Sequence, residues 1–283
     1  MVPEQSIKDN GYYIFREVFN SDEVRKLNKS FEKIFSHKNI SLKDSPSFNI
    51  SNCSSKYPEF NWILYNNKLI SSLRQALGTE DIMYTSTFGI QRDILGGWHK
   101  DDGTGSSQFG FFNEIPYGND CCNVMRVAIY LQEHDSNFPG IYLKPGSHIN
   151  ASLDQGEVIC PRLTPGDVAV FDVRLTHSGT FRNKIHQKIS NVLPQKHLKY
   201  LNALSAILRK IALKVTKKHK HAIFIAFGKN NKQTIEYSKS MMKVQLSQTP
   251  GTDFRLPEEL KTSFEKKGIH YAEKNFNPED FIS

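Results

Sequence analysis

The chain has 283 residues, of which 38% are hydrophobic, 11% aromatic and 23% charged, a balance that supports a packed core and excludes general disorder. Much of its net charge of +8 sits between Lys184 and Lys220, so the charge describes one surface rather than the whole molecule. No apolar run reaches the roughly 18 residues of a membrane span. The opening MVPEQSIKDNGYYIF lacks a basic start followed by an apolar stretch. Cys53, Cys121, Cys122 and Cys160 show no CxxC spacing, which argues against a zinc or redox module. The expectation is a cytoplasmic protein with reduced thiols and one domain over 1–283.

In chain order, Ser21 is the expected cap of a helix with Asp22 and Glu23 at its positive end and Val24, Leu27, Phe31 and Ile34 on one face. Ile40 to Ser55 is rich in Ser and Asn and reads as a loop. From Ile82 the period changes to two. The runs IMYTSTFGIQ, VMRVAIYL, GIYLKPGS and GDVAVFDV, and later AIFIAFG from Ala222, are short strands separated by Gly, Pro and Asp turns. They suggest an antiparallel barrel or sandwich.

Between the last two strands lies a different pattern. Leu201, Leu204, Leu208, Ile211 and Val215 form one apolar stripe, and Lys199, Arg209, Lys210, Lys214 and Lys217 take the other faces. This predicts a basic amphipathic helix over 196–218 within an insertion at 185–219. It either packs on the barrel with solvated lysines or meets an anionic partner such as a lipid head group, an acyl carrier, a CoA phosphate or a charged glycan. Nucleic acid is not expected, because no aromatic interleaving or binding module accompanies the charge. Thr234 to Met242 and the stretch after Pro257 are expected as further short helices.

The candidate chemistry begins at His99-Lys100-Asp101, just after a strand. A histidine and a carboxylate two residues apart can take adjacent positions on one metal ion. A chain with 10 histidines contains such spacings by chance, so a partner is required. His177, just past the strand VAVFDV, supplies one, and the three together make a 2-His-1-carboxylate set suited to Fe(II). His148 in KPGSH reads as a structural turn residue, and His219 and His221 as surface residues beside Lys220. Trp98 either lines a pocket or packs.

At these residues the chain resembles the phytanoyl-CoA dioxygenase family of Fe(II)/2-oxoglutarate oxygenases. The pieces DNGYYIFREVFNSDEV, WHKD, VAIYLQEHD, GIYLKPGSH and LTPGDVAVFDVRLTHSG follow in family order. The resemblance implies a mainly β fold with flanking helices: a double-stranded β-helix, the jelly-roll, cupin-like barrel, with the basic helical insertion between late strands. It implies His99, Asp101 and His177 as iron ligands, with Fe(II), 2-oxoglutarate and O₂ as cofactor and cosubstrates. The implied reaction is hydroxylation of an aliphatic C–H in a small-molecule, lipid-linked or carrier-linked metabolite, with release of succinate and CO₂. Asp101 at the carboxylate position favours such oxidation over halogenation.

The family's cation for the far carboxylate of 2-oxoglutarate corresponds to Lys220, two residues before Ala222, where an Arg is usual. A Lys offers a point charge without the bidentate fork. Lys188 and Arg182 are alternatives for this role, and Gln91 is a candidate hydrogen-bonding partner of the cosubstrate. Peripheral membrane contact through 196–218 is one use of the basic helix. A catalytically silent binding or scaffold protein and a cupin-like metalloenzyme independent of 2-oxoglutarate are the competing readings.

Overall fold

The computed structural model describes residues 2–35, 48–94, 97–101, 117, 123–134, 140–179, 219–251 and 253–275. The expected helix at 196–218, the insertion up to His219, the alternative cations Lys188 and Arg182, and Cys121 and Cys122 lie outside the described residues.

Helix α1 (Pro3–Asn10) leads into strand β1 (Tyr12–Phe15) and helix α2 (Ser21–Phe35). The cap of α2 falls one residue before the expected Ser21. Asn20 Oδ1 accepts from the backbone N–H groups of Asp22 and Glu23, both at 3.0 Å, and Glu23 Oε2 accepts from Asn20 N at 2.8 Å. This reciprocal box satisfies donors that no intrahelical carbonyl can reach.

The stretch expected to be a loop contains strand β2 (Phe48–Ser51) and a turn of helix α3 (Cys53–Lys56). The strand was hidden because it is a short edge strand, recruited by pairing with its neighbour rather than by its own alternation. A 3₁₀ segment (Pro58–Tyr65) and helix α4 (Asn67–Leu77) follow.

The strands read from the period-two runs are β3 (Ile82–Arg92), β4 (Val124–Tyr130), β5 (Tyr142–Leu143), β6 (Val168–Asp172) and β8 (His221–Lys229). A short β7 (His177–Ser178) lies between the last two. The chain closes with α5 (Lys232–Gln248), α6 (Glu258–Lys266) and β9 (Ile269–Tyr271). The major sheet has the order β1-β6-β4-β8-β3-β2, with β9 also on β3, and a minor sheet pairs β5 with β7.

Alternation splits the major sheet into two faces. Val127, Ile129, Val168, Val170, Ile223 and Ile225 pack with Val24, Leu27 and Phe31 of α2 and Leu69 and Leu73 of α4. Ala128, Tyr130, Ala169, Phe171 and Ala222 turn the other way and pack with Ile141, Leu143, Leu163 and Leu175 beneath the minor sheet. Each fully buried Leu, Ile or Phe contributes about 2 kcal/mol of transfer free energy. Helices therefore cover one face of the sheet and the minor sheet covers the other, the double-stranded β-helix arrangement.

His221 is not the surface residue expected from its basic neighbourhood. Its ring stacks on Phe31 at 4.7 Å, and its Nδ1 is buried without a hydrogen-bond partner among the described residues. Burial pushes its pKa down to about 4, with His219 and Arg92 adding to the effect and Asp93 opposing it. His219 is half-buried against Asp93 rather than free in solvent.

Two stability predictions follow from this packing. In the turn that starts β6, Gly166 has φ +99° and an added Cβ would lie 2.2 Å from Phe19 O. Gly166→Ala should lower unfolding free energy by about 2 kcal/mol or more, read as a lower urea midpoint with an unchanged slope. His221 binds its proton near pH 6.5 when unfolded and only near 4 when folded, so its share of stability is complete above about 6.5 and is lost as pH falls towards 4. His221→Phe should flatten that part of the stability–pH curve, and an unchanged slope would contradict the assignment.

Candidate metal centre

His99 and His177 face each other as a hydrogen-bonded antiparallel pair. His99 N donates to His177 O at 3.0 Å and His177 N donates to His99 O at 2.9 Å. On its other side His177 pairs with Leu143, so the second histidine is held in the middle of the minor sheet. The two ring centroids are 4.3 Å apart. Each ring is oriented from behind: Nδ1 of His99 donates to Gly97 O at 2.7 Å, and Nδ1 of His177 to Leu175 O at 3.0 Å. This selects the tautomer that leaves both Nε2 lone pairs available.

Asp101 completes the group. Its Oδ1 lies 3.6 Å from His99 Nε2 and its Oδ2 lies 3.7 Å from His177 Nε2. The three potential ligand atoms fall within 4.8 Å of one another. Burial works to raise the Asp101 carboxyl, but Arg126 above all, then His177 and His99, outweigh it and hold the group below its ordinary value. Burial drives His177 down to about 4, against the pull of Asp101, so its ring is neutral at physiological pH. Two neutral imidazoles and one ionised carboxylate on one side of a point form a donor set that fits a divalent first-row metal and leaves other coordination positions open.

Lys100, between the two nearby ligands, points the opposite way. It is buried, and its Nζ donates to Ser147 O and Arg174 O, both at 2.6 Å. Arg174 belongs to the turn that delivers His177. Its guanidinium is buried in a two-pronged pair with Asp172, Nε to Oδ1 at 3.1 Å and Nη2 to Oδ2 at 2.9 Å. Alternation along His99-Lys100-Asp101 thus aims two side chains at the metal position and uses the third to tie this loop to the other ligand's loop.

Arg126 was not anticipated. Its Nε lies 3.1 Å from Asp101 Oδ2, a close ion pair without hydrogen-bond alignment, and its guanidinium rests 5.6 Å from the Phe224 ring centroid. The signal was present in the strand VMRVAIY: Arg126 shares the inward face with Ala128 and Tyr130, and a charge at an inward position demands a partner.

A cavity of about 170 Å³ opens beside the three residues, walled by Gln91, Arg126, Tyr130, Ile141, Gly179, Lys220 and Phe224 among others. Lys220 immediately precedes β8 on the face that carries Ala222. Its Nζ donates to Gly140 O and to Gly179 O and lies 5.5 Å from the Tyr130 ring centroid. The structure therefore brings His99, Asp101, His177, Lys220 and Gln91 to one cavity. Trp98 instead packs beside Tyr142 with Lys144 Nζ 4.9 Å from its ring centroid. His148 Nε2 donates to Lys8 O at 3.0 Å, a structural bond to α1 rather than within its own turn.

No family model matches the chain, and no curated protein sequence matches it. Solved structures do. The epimerase SnoN in complex with Fe3+, alpha ketoglutarate and nogalamycin RO aligns with TM-score 0.54 and 10% identity over 88% of this chain and 90% of its own. AviO1 from Streptomyces viridochromogenes Tue57 aligns with TM-score 0.53 and 16% identity over 81% of this chain and 94% of its own. EctD from S. alaskensis with 2-oxoglutarate and 5-hydroxyectoine aligns with TM-score 0.52 and 14% identity over 80% and 74%. At these identities the likeness is one of fold, the cupin-like double-stranded β-helix.

The Lys100 tie generates a test. Lys100→Met keeps the length of the side chain but leaves the carbonyls of Ser147 and Arg174 without the ammonium. Affinity for Co(II) or Fe(II), measured by anaerobic titration, should fall about tenfold because the two ligand loops lose their common anchor. Unchanged affinity would mean that the backbone pair between His99 and His177 suffices.

Proposed function

We propose that this chain is an Fe(II)/2-oxoglutarate-dependent oxygenase of the phytanoyl-CoA dioxygenase type, hydroxylating an aliphatic C–H bond of a small-molecule, lipid-linked or carrier-linked substrate. The observation that carries this reading is the convergence of His99, Asp101 and His177 on one edge of a cavity whose wall also holds Lys220. Iron and its cosubstrates, when bound, would supply the oxidation of C–H to C–OH, with 2-oxoglutarate and O₂ consumed and succinate and CO₂ released.

The chain's own residues have definable roles in that reaction. His99 Nε2, His177 Nε2 and an Asp101 carboxylate oxygen would hold the metal. Arg126, in a close ion pair with Asp101 Oδ2, would keep the carboxylate ionised for that role. Lys220 takes the far carboxylate of 2-oxoglutarate, and Gln91 offers an amide to the same ligand. Tyr130, Ile141 and Phe224 make the wall apolar, which limits water beside the reacting carbon.

The same reading takes residues 1–283 as one oxygenase domain in which 185–219 is an insertion. The basic segment at 196–218 is its docking element towards an anionic substrate carrier or a lipid surface, and nucleic acid is not a partner. Among the described residues no helix is long and apolar enough to cross a membrane. We place the protein in the cytoplasm.

The test is a succinate measurement on anaerobically purified protein given Fe(II), 2-oxoglutarate and O₂, with a parallel search for a 2-oxoglutarate-dependent visible absorption band. Both signals are expected, and both should vanish in His99→Ala and Asp101→Ala. Lys220→Ala should keep iron but raise the 2-oxoglutarate requirement by about ten- to a hundredfold, the scale of a lost charged hydrogen bond. Metal binding with no response to 2-oxoglutarate would favour a cupin-like metalloenzyme. Loss of neither signal in the histidine and aspartate variants would remove the triad.

A further inference from the structure

Asp93 ends β3 in an unusual way. It is only 1% exposed, and its backbone is left-handed at φ +58°, a conformation that costs free energy in a residue with a side chain and that Asp and Asn tolerate best. The register of the β3–β8 ladder ends at Arg92 paired with His221, so the next partners in line are Asp93 and Lys220. Asp93 N does donate to Lys220 O, at 2.9 Å. In a regular ladder Lys220 N would donate to the carbonyl opposite it; here it donates to the carboxylate, Asp93 Oδ1, at 2.9 Å. The second oxygen accepts from His219 Nδ1 at 2.7 Å.

One carboxylate thus extends the sheet by a step and grips both residues of His219-Lys220. The consequence lies in the cavity. Pinning the Lys220 backbone at the ladder's end places its side chain on the Ala222 and Phe224 face, where Nζ meets Gly140 O and Gly179 O beside the metal position. A lysine whose ammonium must act as a fixed point charge gains nothing from its long, rotatable stem unless the backbone beneath it is held.

We propose that Asp93 is a positioning residue that sets Lys220 for binding the far carboxylate of 2-oxoglutarate, an inference that rests on the oxygenase reading of this cavity. Asp93 is not among the described residues that line the cavity. It acts through Lys220, and the strain at its backbone is the cost of putting a carboxylate where a carbonyl would ordinarily stand.

The experiment measures 2-oxoglutarate affinity of the anaerobic Fe(II)-loaded protein from its visible absorption band, with equilibrium dialysis of labelled 2-oxoglutarate as a second readout. Asp93→Gly permits the same backbone angle and deletes the carboxylate, and it should raise the dissociation constant about tenfold or more. Asp93→Asn keeps an acceptor for Lys220 N–H and should recover part of that loss, and it serves as the test variant if the glycine variant does not fold. In a Lys220→Ala background either substitution should change the dissociation constant less than twofold, since its target is gone. Wild-type affinity in both Asp93 variants, or an equal loss with and without Lys220, overturns the proposal while leaving the oxygenase reading intact. Absence of any 2-oxoglutarate binding to the unaltered protein overturns both.

Discussion

The two-way backbone hydrogen bond between His99 and His177 is the constraint on which this site depends. It joins residues 78 positions apart in the sequence into one antiparallel step, and the two imidazoles then stand beside each other. The carbonyls of Gly97 and Leu175 set the tautomers, and Asp101 falls next to both rings because it is two residues from one of them. A metal entering such a group meets ligands whose ordering entropy has already been spent in folding.

The price of this preorganisation is a set of buried charges, and each is answered locally. Lys100 donates to two carbonyls, Arg174 forks onto Asp172, Arg126 lies against Asp101, and Asp93 receives the backbone of Lys220. Removing one partner of such a pair leaves the other charge desolvated, which is why these contacts hold geometry more firmly than surface ion pairs do. They also link the loops. Lys100 ties the His99 loop to the turn before His177, and Asp93 ties the end of β3 to the start of β8.

The cavity beside His99, Asp101 and His177 is walled by residues of β3, β4 and β8 together with Ile141 and Gly179. Lys220 brings an ammonium to that wall. A lysine lacks the planar fork of an arginine, and here its freedom is restricted at both ends: the ammonium meets the carbonyls of Gly140 and Gly179, and the backbone is fastened by Asp93. Gly179 lines the cavity, and His219 immediately precedes Lys220, which lines it as well.

Local pattern was sufficient for the long strands and for helix α2, and it singled out His99, Asp101, His177, Lys220 and Gln91, which the fold brings to one cavity. Strict alternation in VMRVAIYL and AIFIAFG can bury one face only as a strand, and a histidine and a carboxylate two residues apart already share a side of the chain. Pattern was not sufficient for β2, whose pairing comes from its neighbour, or for the cap at Asn20, which competed with an equally suitable Ser21. It misjudged His221, because a basic neighbourhood says nothing about a ring that a distant Phe31 covers. The inward position of Arg126 was visible in its strand, but its partner was not, and Asp93 gave no local signal: their partners stand 25 and 127 residues away, and only the approach of β4 to the His99 loop and the pairing of β8 with β3 bring them together.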